Sequence, residues 1–228
     1  LIHLERFAQS RGSHWELYNH FLEHPAALES FIGVVSSSNY LADVLVRNPE
    51  YLPIIYDSPI LEKVKTEEQF QKELLVNSKA FHTVTSKIDS IRRYRRQEIL
   101  RIGAADILGY YNLREVTEQL SRLADVVVAN CLGEVSIEAN DSGFFVLGLG
   151  KLGGDELNYS SDIDLIFVTE NGDNLKDATQ IARELTHVLG EFTAEGFLYR
   201  VDLRLRPYGS GGSLVVSTAM LEEYLALK

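Results

Sequence analysis

The stretch GLGKLGGDELNYSSDIDLIF, Gly148–Phe167, puts four glycines and the pair Ser160-Ser161 ahead of Asp162-Ile163-Asp164. An apolar run, GFFVLGLG, enters it, and DIDLIFVT leaves it. Both runs are short and apolar, with glycine or polar residues at their ends, as buried strands are. On a strand, residues i and i+2 point the same way. Asp162 and Asp164 therefore share one face, and Ile163 and Leu165 share the other. Further on, FLYRVDLRLRP (Phe197–Pro207) repeats the alternation. There Asp202, Arg204 and Arg206 are expected on one face, and Val201, Leu203 and Leu205 on the core side. If the two strands are neighbours, three carboxylates and two guanidiniums converge on one patch.

Three carboxylates held together repel one another, and a divalent cation relieves that repulsion. Mg²⁺ favours hard oxygen ligands and commonly completes its shell with substrate phosphates. Two such ions can polarise a phosphoryl group and stabilise both the attacking and the leaving oxygen. Arg204 and Arg206 can hold phosphate oxygens by forked hydrogen bonds. The turn GKLGGDELNYSS supplies backbone N–H groups and hydroxyls, and its glycines allow backbone to approach phosphate. Each part alone has an ordinary reading. Asp-x-Asp and Arg-x-Arg are often solvated surface charges, and glycine turns are mostly just turns. Lys151 and Arg206 could pair structurally with Glu156 or Asp155. The combination points to chemistry at a nucleotide's phosphates.

The rest of the chain reads differently. The first 136 residues carry the three- and four-residue apolar spacing of helices. IHLERFAQ and HWELYNHFLEH are short amphipathic segments. PAALESFIGVVSSS opens on Pro25, which suits a first helical turn. SNYLADVLVRNPEYL offers Ser38 or Asn39 as a cap and stops near Pro49. A long pattern from Thr66 to Asn112 is expected to break once, near residues 89–92, with Ile99, Leu100, Ile102, Ala105 and Ile107 on its apolar face. Its basic stretch RRYRRQEILR, residues 92–101, reads as a solvated helix face or, less often, a binding patch. LREVTEQLSRLADVVVANCL continues the helical spacing. After a break at SIEANDS, residues 136–142, come the strands, with an amphipathic helix, LKDATQIARELTHVLGEFTAEG, expected to close at Gly196. GSLVVST is a short last strand. The fold class is α+β: a helical domain over 1–136, then a small mixed-sheet domain over 137–228.

Composition bounds the partners. The formal net charge of the 228 residues is −11, which argues against general binding to nucleic acid or to an anionic membrane surface. One cysteine, Cys131, excludes a disulfide framework within the chain and reads as a small buried apolar residue. The six histidines are scattered without metal-ligand spacing. No apolar run is long enough to span a membrane and no signal-peptide pattern opens the chain, so a cytoplasmic protein is expected. The chain starts at Leu1 and its one methionine is Met220, as expected of a processed product or an excised fragment.

The order glycine–serine turn, Asp-x-Asp on a strand, third aspartate on a later strand resembles the nucleotidyltransferase superfamily of the DNA polymerase β type. Within it, GLGKLGGDELNYSSDIDLIF and YRVDLRLRPYGSGGSLVVS are similar to the core motifs of the glutamine synthetase adenylyltransferase/adenylyl-removing family. LERF, SSSNYLADVLVRNPEYL and RRYRRQEILRIGAADILG resemble the segments that precede that core. The resemblance implies that Asp162, Asp164 and Asp202 bind metal, two Mg²⁺ ions, and carry catalysis. It implies that Gly150, Lys151, Gly153, Gly154, Ser161, Arg204 and Arg206 contact nucleotide or phosphate. The substrates it implies are ATP, or ADP and phosphate. Members usually hold two such units. One transfers AMP to a tyrosine of glutamine synthetase, and the other removes it by phosphorolysis. Ile163 and Arg200 make this chain more like the N-terminal, adenylyl-removing unit, with the helical region that normally follows LEEY absent. Glutamine synthetase is the implied partner, with a PII-type signal protein and glutamine as regulators. Two readings compete: a catalytically silent regulatory fragment, and a nucleotidyltransferase acting on nucleic acid or a small molecule such as an antibiotic.

Overall fold

The computed structural model describes residues 2–12, 14–136, 143–170, 172 and 175–227. The boundary expected at 136–142 lies, from residue 137 on, outside the described residues. Two compact units emerge: Leu1–Lys65 with Arg96–Gln119, and Thr66–Arg95 with Leu120–Lys228. The helices α7 (Val84–Ile107) and α8 (Leu113–Val135) each contribute to both.

The first unit is built from α1 (Ile2–Ser10), α2 (His14–Glu23), α3 (Pro25–Ser37), α4 (Asn39–Arg47), a 3₁₀ turn Pro49–Ile55 and α5 (Ser58–Leu61), with one part each of α7 and α8. Pro25 opens α3 as its fixed φ favours. The Ser38 hydroxyl caps α4 by accepting from Leu41 N–H at 3.3 Å. Phe7, Phe21 and Phe31 meet in the core, with Phe31 4.8 Å from Phe7 and 5.7 Å from Phe21 between ring centroids.

A polar network is buried in this unit. Glu98 accepts from Lys65 Nζ at 2.8 Å and from Arg101 Nε at 2.8 Å. Arg101 Nη2 donates to the Gln119 carbonyl, whose amide donates in turn to the Lys65 carbonyl at 2.6 Å. Tyr111 hydroxyl bonds to Arg101 and to the Lys63 carbonyl. Lys65, Glu98 and Arg101 are all nearly inaccessible to solvent. Such charges are tolerated only when paired and hydrogen-bonded.

The basic stretch 92–101 is therefore not a solvated face: Arg93, Arg95 and Arg96 are half-buried. Arg92 and Arg101 are buried and turned into the protein. The expected break at 89–92 is also displaced. Helix α6 spans Glu67–Ser78, and α7 runs unbroken through 89–92 from Val84. The break falls at 79–83 because Thr83 and Ser86 cap each other reciprocally, with Ser86 N–H to Thr83 Oγ1 at 3.2 Å and Thr83 N–H to Ser86 Oγ at 3.2 Å.

The second unit contains α6, capped by a reciprocal Thr66–Gln69 box, parts of α7 and α8, and a mixed four-stranded sheet. β1 (Phe144–Leu149) pairs antiparallel with β2 (Ile163–Thr169) along its length. β3 (Val201–Asp202) pairs parallel with the start of β2, and β4 (Val215–Ser217) parallel with its end. The short α9 (Gly150–Gly153) links β1 to the loop before β2, α10 (Leu175–Gly190) follows β2, and α11 (Thr218–Ala226) follows β4. The alternation of β2 holds: Ile163, Leu165 and Phe167 are buried on one side. On the side of Asp164, the strand turns apolar at Ile166 and Val168, which pack with Val216, Phe145, Leu147, Leu149 and Leu221. This confines the charged patch to one end of β2.

α10 buries Ala178, Ile181, Ala182, Leu185, Val188 and Leu189, one helical face. It stops at Gly190, not at Gly196. Gly196, at φ +86°, instead closes a tight turn against Thr193. Cys131 is buried in α8, and burial pushes its thiol up to about 12. Among the described residues, no helix is long and apolar enough to cross a membrane.

Candidate active site

The charged end of β2 is assembled from both of its neighbours. β1 delivers the chain to Gly150, whose φ of +55° is the left-handed region that disfavours any side chain. A Cβ at Gly150 would stand 2.4 Å from Asp164 Oδ2, so only glycine lets the backbone pass this close to the carboxylate. Gly153 serves packing: its Cβ would stand 2.6 Å from the Gly148 carbonyl oxygen. Lys151 and Gly154 are exposed on this turn.

The loop into β2 is anchored on α8, where Leu157 N–H donates to Ser121 Oγ at 3.1 Å. The Ser161 hydroxyl accepts from Asn158 N–H at 3.3 Å, and Ser160 N–H donates to Asn158 Oδ1 at 3.1 Å. The two serines thus shape the turn that presents Asp162.

The parallel pairing of β2 and β3 sets Asp164 directly against Asp202. Asp164 is half-buried, and its carboxyl lies above the usual carboxylate range. Desolvation is the first cause, repulsion from Asp202 the second, and Asp162 adds to it while Arg204 opposes. Asp162 accepts from Arg200 Nε at 2.5 Å, and Arg200 Nη2 reaches the Ser160 carbonyl at 2.8 Å. Asp202 accepts from Arg204 Nε at 2.8 Å, from its Nη2, and from its backbone N–H at 2.8 Å. Those bonds hold the Asp202 carboxyl below its ordinary range, the side-chain bonds more than the backbone one. Three carboxylates and two guanidiniums do converge, but the second guanidinium is that of Arg200, not Arg206.

β3 is shorter than expected. Arg204 N–H turns to the Asp202 carboxylate instead of the sheet, which ends the strand in an Asx turn. Past Asp202, period-two alternation lapses. Leu205 is half exposed rather than core-facing. Arg206 donates from Nη1 to the Leu203 carbonyl at 2.8 Å and from Nη2 to the Ser210 carbonyl at 3.4 Å, bracing the turn. Arg200 is the site residue that alternation could have exposed: two positions before Asp202, it shares that residue's face.

Among the described residues, no group of three or more His, Cys, Asp or Glu side chains stands as a ready metal cage. Asp162 and Asp202 are turned to their arginines. The donor chemistry nonetheless fits Mg²⁺: three carboxylates meet at one strand end, and Asp164 bears the repulsion a cation would remove.

The family model described as glutamate-ammonia ligase adenylyltransferase matches residues 28–227. The chain belongs to that family. The matched span takes in the glycine turn, the paired strands β2 and β3 and all three aspartates. Relatives named bifunctional glutamine synthetase adenylyltransferase/adenylyl-removing enzyme include those of Shewanella woodyi (strain ATCC 51908 / MS32), 33% identical over 225 residues, and Shewanella frigidimarina (strain NCIMB 400), 34% identical over 218 residues. Each match covers 86% of this chain and 23% of the relative. That of Shewanella loihica (strain ATCC BAA-1088 / PV-4) is 33% identical over 231 residues, covering 89% of this chain and 23% of the relative. The chain thus spans about a quarter of the length of the relatives it matches.

Proposed function

We propose that this chain carries a Mg²⁺-dependent nucleotidyl-transfer site of the polymerase β type that controls glutamine synthetase. Its direction is the phosphorolytic removal of AMP from an adenylylated tyrosine. The single observation that carries the reading is the parallel register of β2 and β3, which sets Asp164 against Asp202 beside Asp162.

Asp162, Asp164 and Asp202 would hold the metal, two Mg²⁺ ions on the family pattern. Bound there, Mg²⁺ would neutralise phosphates that otherwise repel each other and the oxygen that leaves. A phosphate oxygen attacks the AMP phosphorus, the bond from phosphorus to the tyrosine oxygen breaks, and the proton of the attacking phosphate passes to tyrosine, giving ADP. Arg200 and Arg204, which flank the carboxylates, would bind phosphate, with exposed Lys151 as a further cation. Gly150, Gly153, Gly154 and Ser161 shape the turn that brings backbone to the nucleotide. Arg206 keeps the following turn folded.

One feature supports removal over addition: an anionic nucleophile suits a site with arginines on both flanks of the carboxylates. Regulation by a PII-type signal protein and glutamine completes the proposal by family resemblance, and a place in the cytoplasm is proposed from the sequence pattern.

The test offers two reactions. Adenylylated glutamine synthetase with Mg²⁺ and phosphate should release ADP, and Asp162→Asn should not. Incorporation of AMP from ATP into unmodified synthetase would reverse the direction. Silence in both reactions overturns the proposal in favour of a regulatory fragment, and full activity of Asp162→Asn overturns the site.

A further inference from the structure

The basic stretch of α7 finds its use at a distance from the carboxylates. Arg92 and Arg95 stand three residues apart, on one helix face. Arg92 is almost wholly buried. Its Nη2 donates to the Val188 carbonyl at 3.1 Å and to Glu191 Oε2 at 3.3 Å, while Nη1 binds Asp89 at 2.8 Å. Val188 lies in the last turn of α10, where carbonyls lack helical partners. The next carbonyl, of Leu189, accepts from both Leu198 N–H at 3.1 Å and Tyr199 N–H at 2.9 Å. Arg95 lies over the Tyr199 ring, 4.3 Å from its centroid, and that ring is only 4% exposed.

Tyr199 immediately precedes the residues that matter. Arg200 accepts from Ile163 N–H at 2.9 Å through its carbonyl and holds Asp162 through its side chain. Val201 and Asp202 then form the whole of β3. A two-residue ladder followed by an Asx turn is too short to fix a carboxylate by itself. Besides its bonds from Arg204, Asp202 is held through the anchored segment before it: the Tyr199 ring lies buried under Arg95, while Arg200 and Asp202 alternate to the site face.

We infer that Arg95, with Arg92 behind it, is a positioning residue that sets where Asp202 stands against Asp164. The inference rests on the reading of those carboxylates as a cation site. It gives the stretch RRYRR a role that its sequence hides, since arginines on a helix suggest a surface. Arg95 touches neither substrate nor metal. It acts through the Tyr199 ring and three residues of backbone.

The test is a Mn²⁺ titration followed by electron paramagnetic resonance, with amide hydrogen exchange on the same samples. The variants are Arg95→Gln, Arg95→Lys and Lys87→Gln. Lys87→Gln removes the ion pair from Lys87 Nζ to Glu134 at 2.9 Å, elsewhere in the same unit, and serves as the stability control. Arg95→Gln should weaken Mn²⁺ binding about tenfold, the scale of supporting residues around a metal site. It should also speed exchange at the Ile163 amide. Arg95→Lys, which keeps a cation by the ring, should recover part of both. Lys87→Gln should lower the melting temperature and bind Mn²⁺ as the parent does. Parent-like affinity in Arg95→Gln overturns the inference alone, as does equal weakening in Lys87→Gln. Failure of the parent chain to bind Mn²⁺ overturns the cation-site reading and the inference with it.

Discussion

Replacing Gly150 with alanine tests the geometry of the site without touching a charge. Two costs add. At φ +55° an L-residue in the left-handed region loses roughly 1–2 kcal/mol relative to glycine. The new Cβ would also stand 2.4 Å from Asp164 Oδ2, about 1 Å inside ordinary contact, and Asp164 is held between β1 and β3 at the end of the central strand. A rotamer shift of that carboxylate costs about 1 kcal/mol more. The sum, about 2–3 kcal/mol, corresponds to a fall in melting temperature of roughly 4–12 °C for a chain of this size. Gly154→Ala is the internal comparison. Gly154 has an ordinary φ of −100°, and its Cβ would come no nearer than 3.5 Å to any atom, so it should stay within about 0.5 kcal/mol. Urea unfolding followed by circular dichroism reads both. Equal effects of the two substitutions would refute the close approach of the Gly150 backbone to Asp164.

Two further substitutions report on buried and crowded charge. Glu98→Gln leaves Lys65 and Arg101 buried without their shared carboxylate, and urea unfolding should show a loss of about 3–5 kcal/mol; a change under about 1 kcal/mol would contradict the network. Asp125, on a solvent-exposed position of α8, has its carboxyl raised to about 6 by partial desolvation, then by Glu67 and Asp155. A carboxyl raised in the folded state retains a proton that the unfolded chain has lost, so stability falls as pH rises from about 4 through 6. Asp125→Asn should therefore melt higher than the parent at pH 7 and match it at pH 4, and the reverse order would contradict the shift.

The sequence made the two strands around Asp162-Ile163-Asp164 legible because period-two alternation survives wherever a strand is paired along its length, as β2 is. Ser38 and Pro25 signalled helix starts for the same local reason: caps act within four residues. The signals failed where a distant partner decided the outcome. Arg92 and Arg101 look like surface residues until Val188, Glu98 and Gln119, the farthest nearly a hundred positions away, are folded onto them. Alternation over Asp202, Arg204 and Arg206 failed because a side chain captured a backbone N–H and ended the strand. The break before α7 was written in Thr83 and Ser86, a capping pair legible but overlooked within a long apolar pattern. At the site, alternation put Asp162 and Asp164 on one face of their strand and Asp202 on the charged face of another; the register that sets Asp164 against Asp202 comes from strand pairing, which alternation does not encode. Alternation passed over Arg200, whose i+2 relation to Asp202 was equally plain.

The measurement closest to the central claim is Mn²⁺ binding by the parent chain and by Asp162→Asn, Asp164→Asn and Asp202→Asn, read by electron paramagnetic resonance. Mn²⁺ shares the oxygen-ligand preference of Mg²⁺. If the three carboxylates form one cation site, the parent binds and each single substitution weakens binding tenfold or more. Parent-like binding in any one of the three would contradict the account.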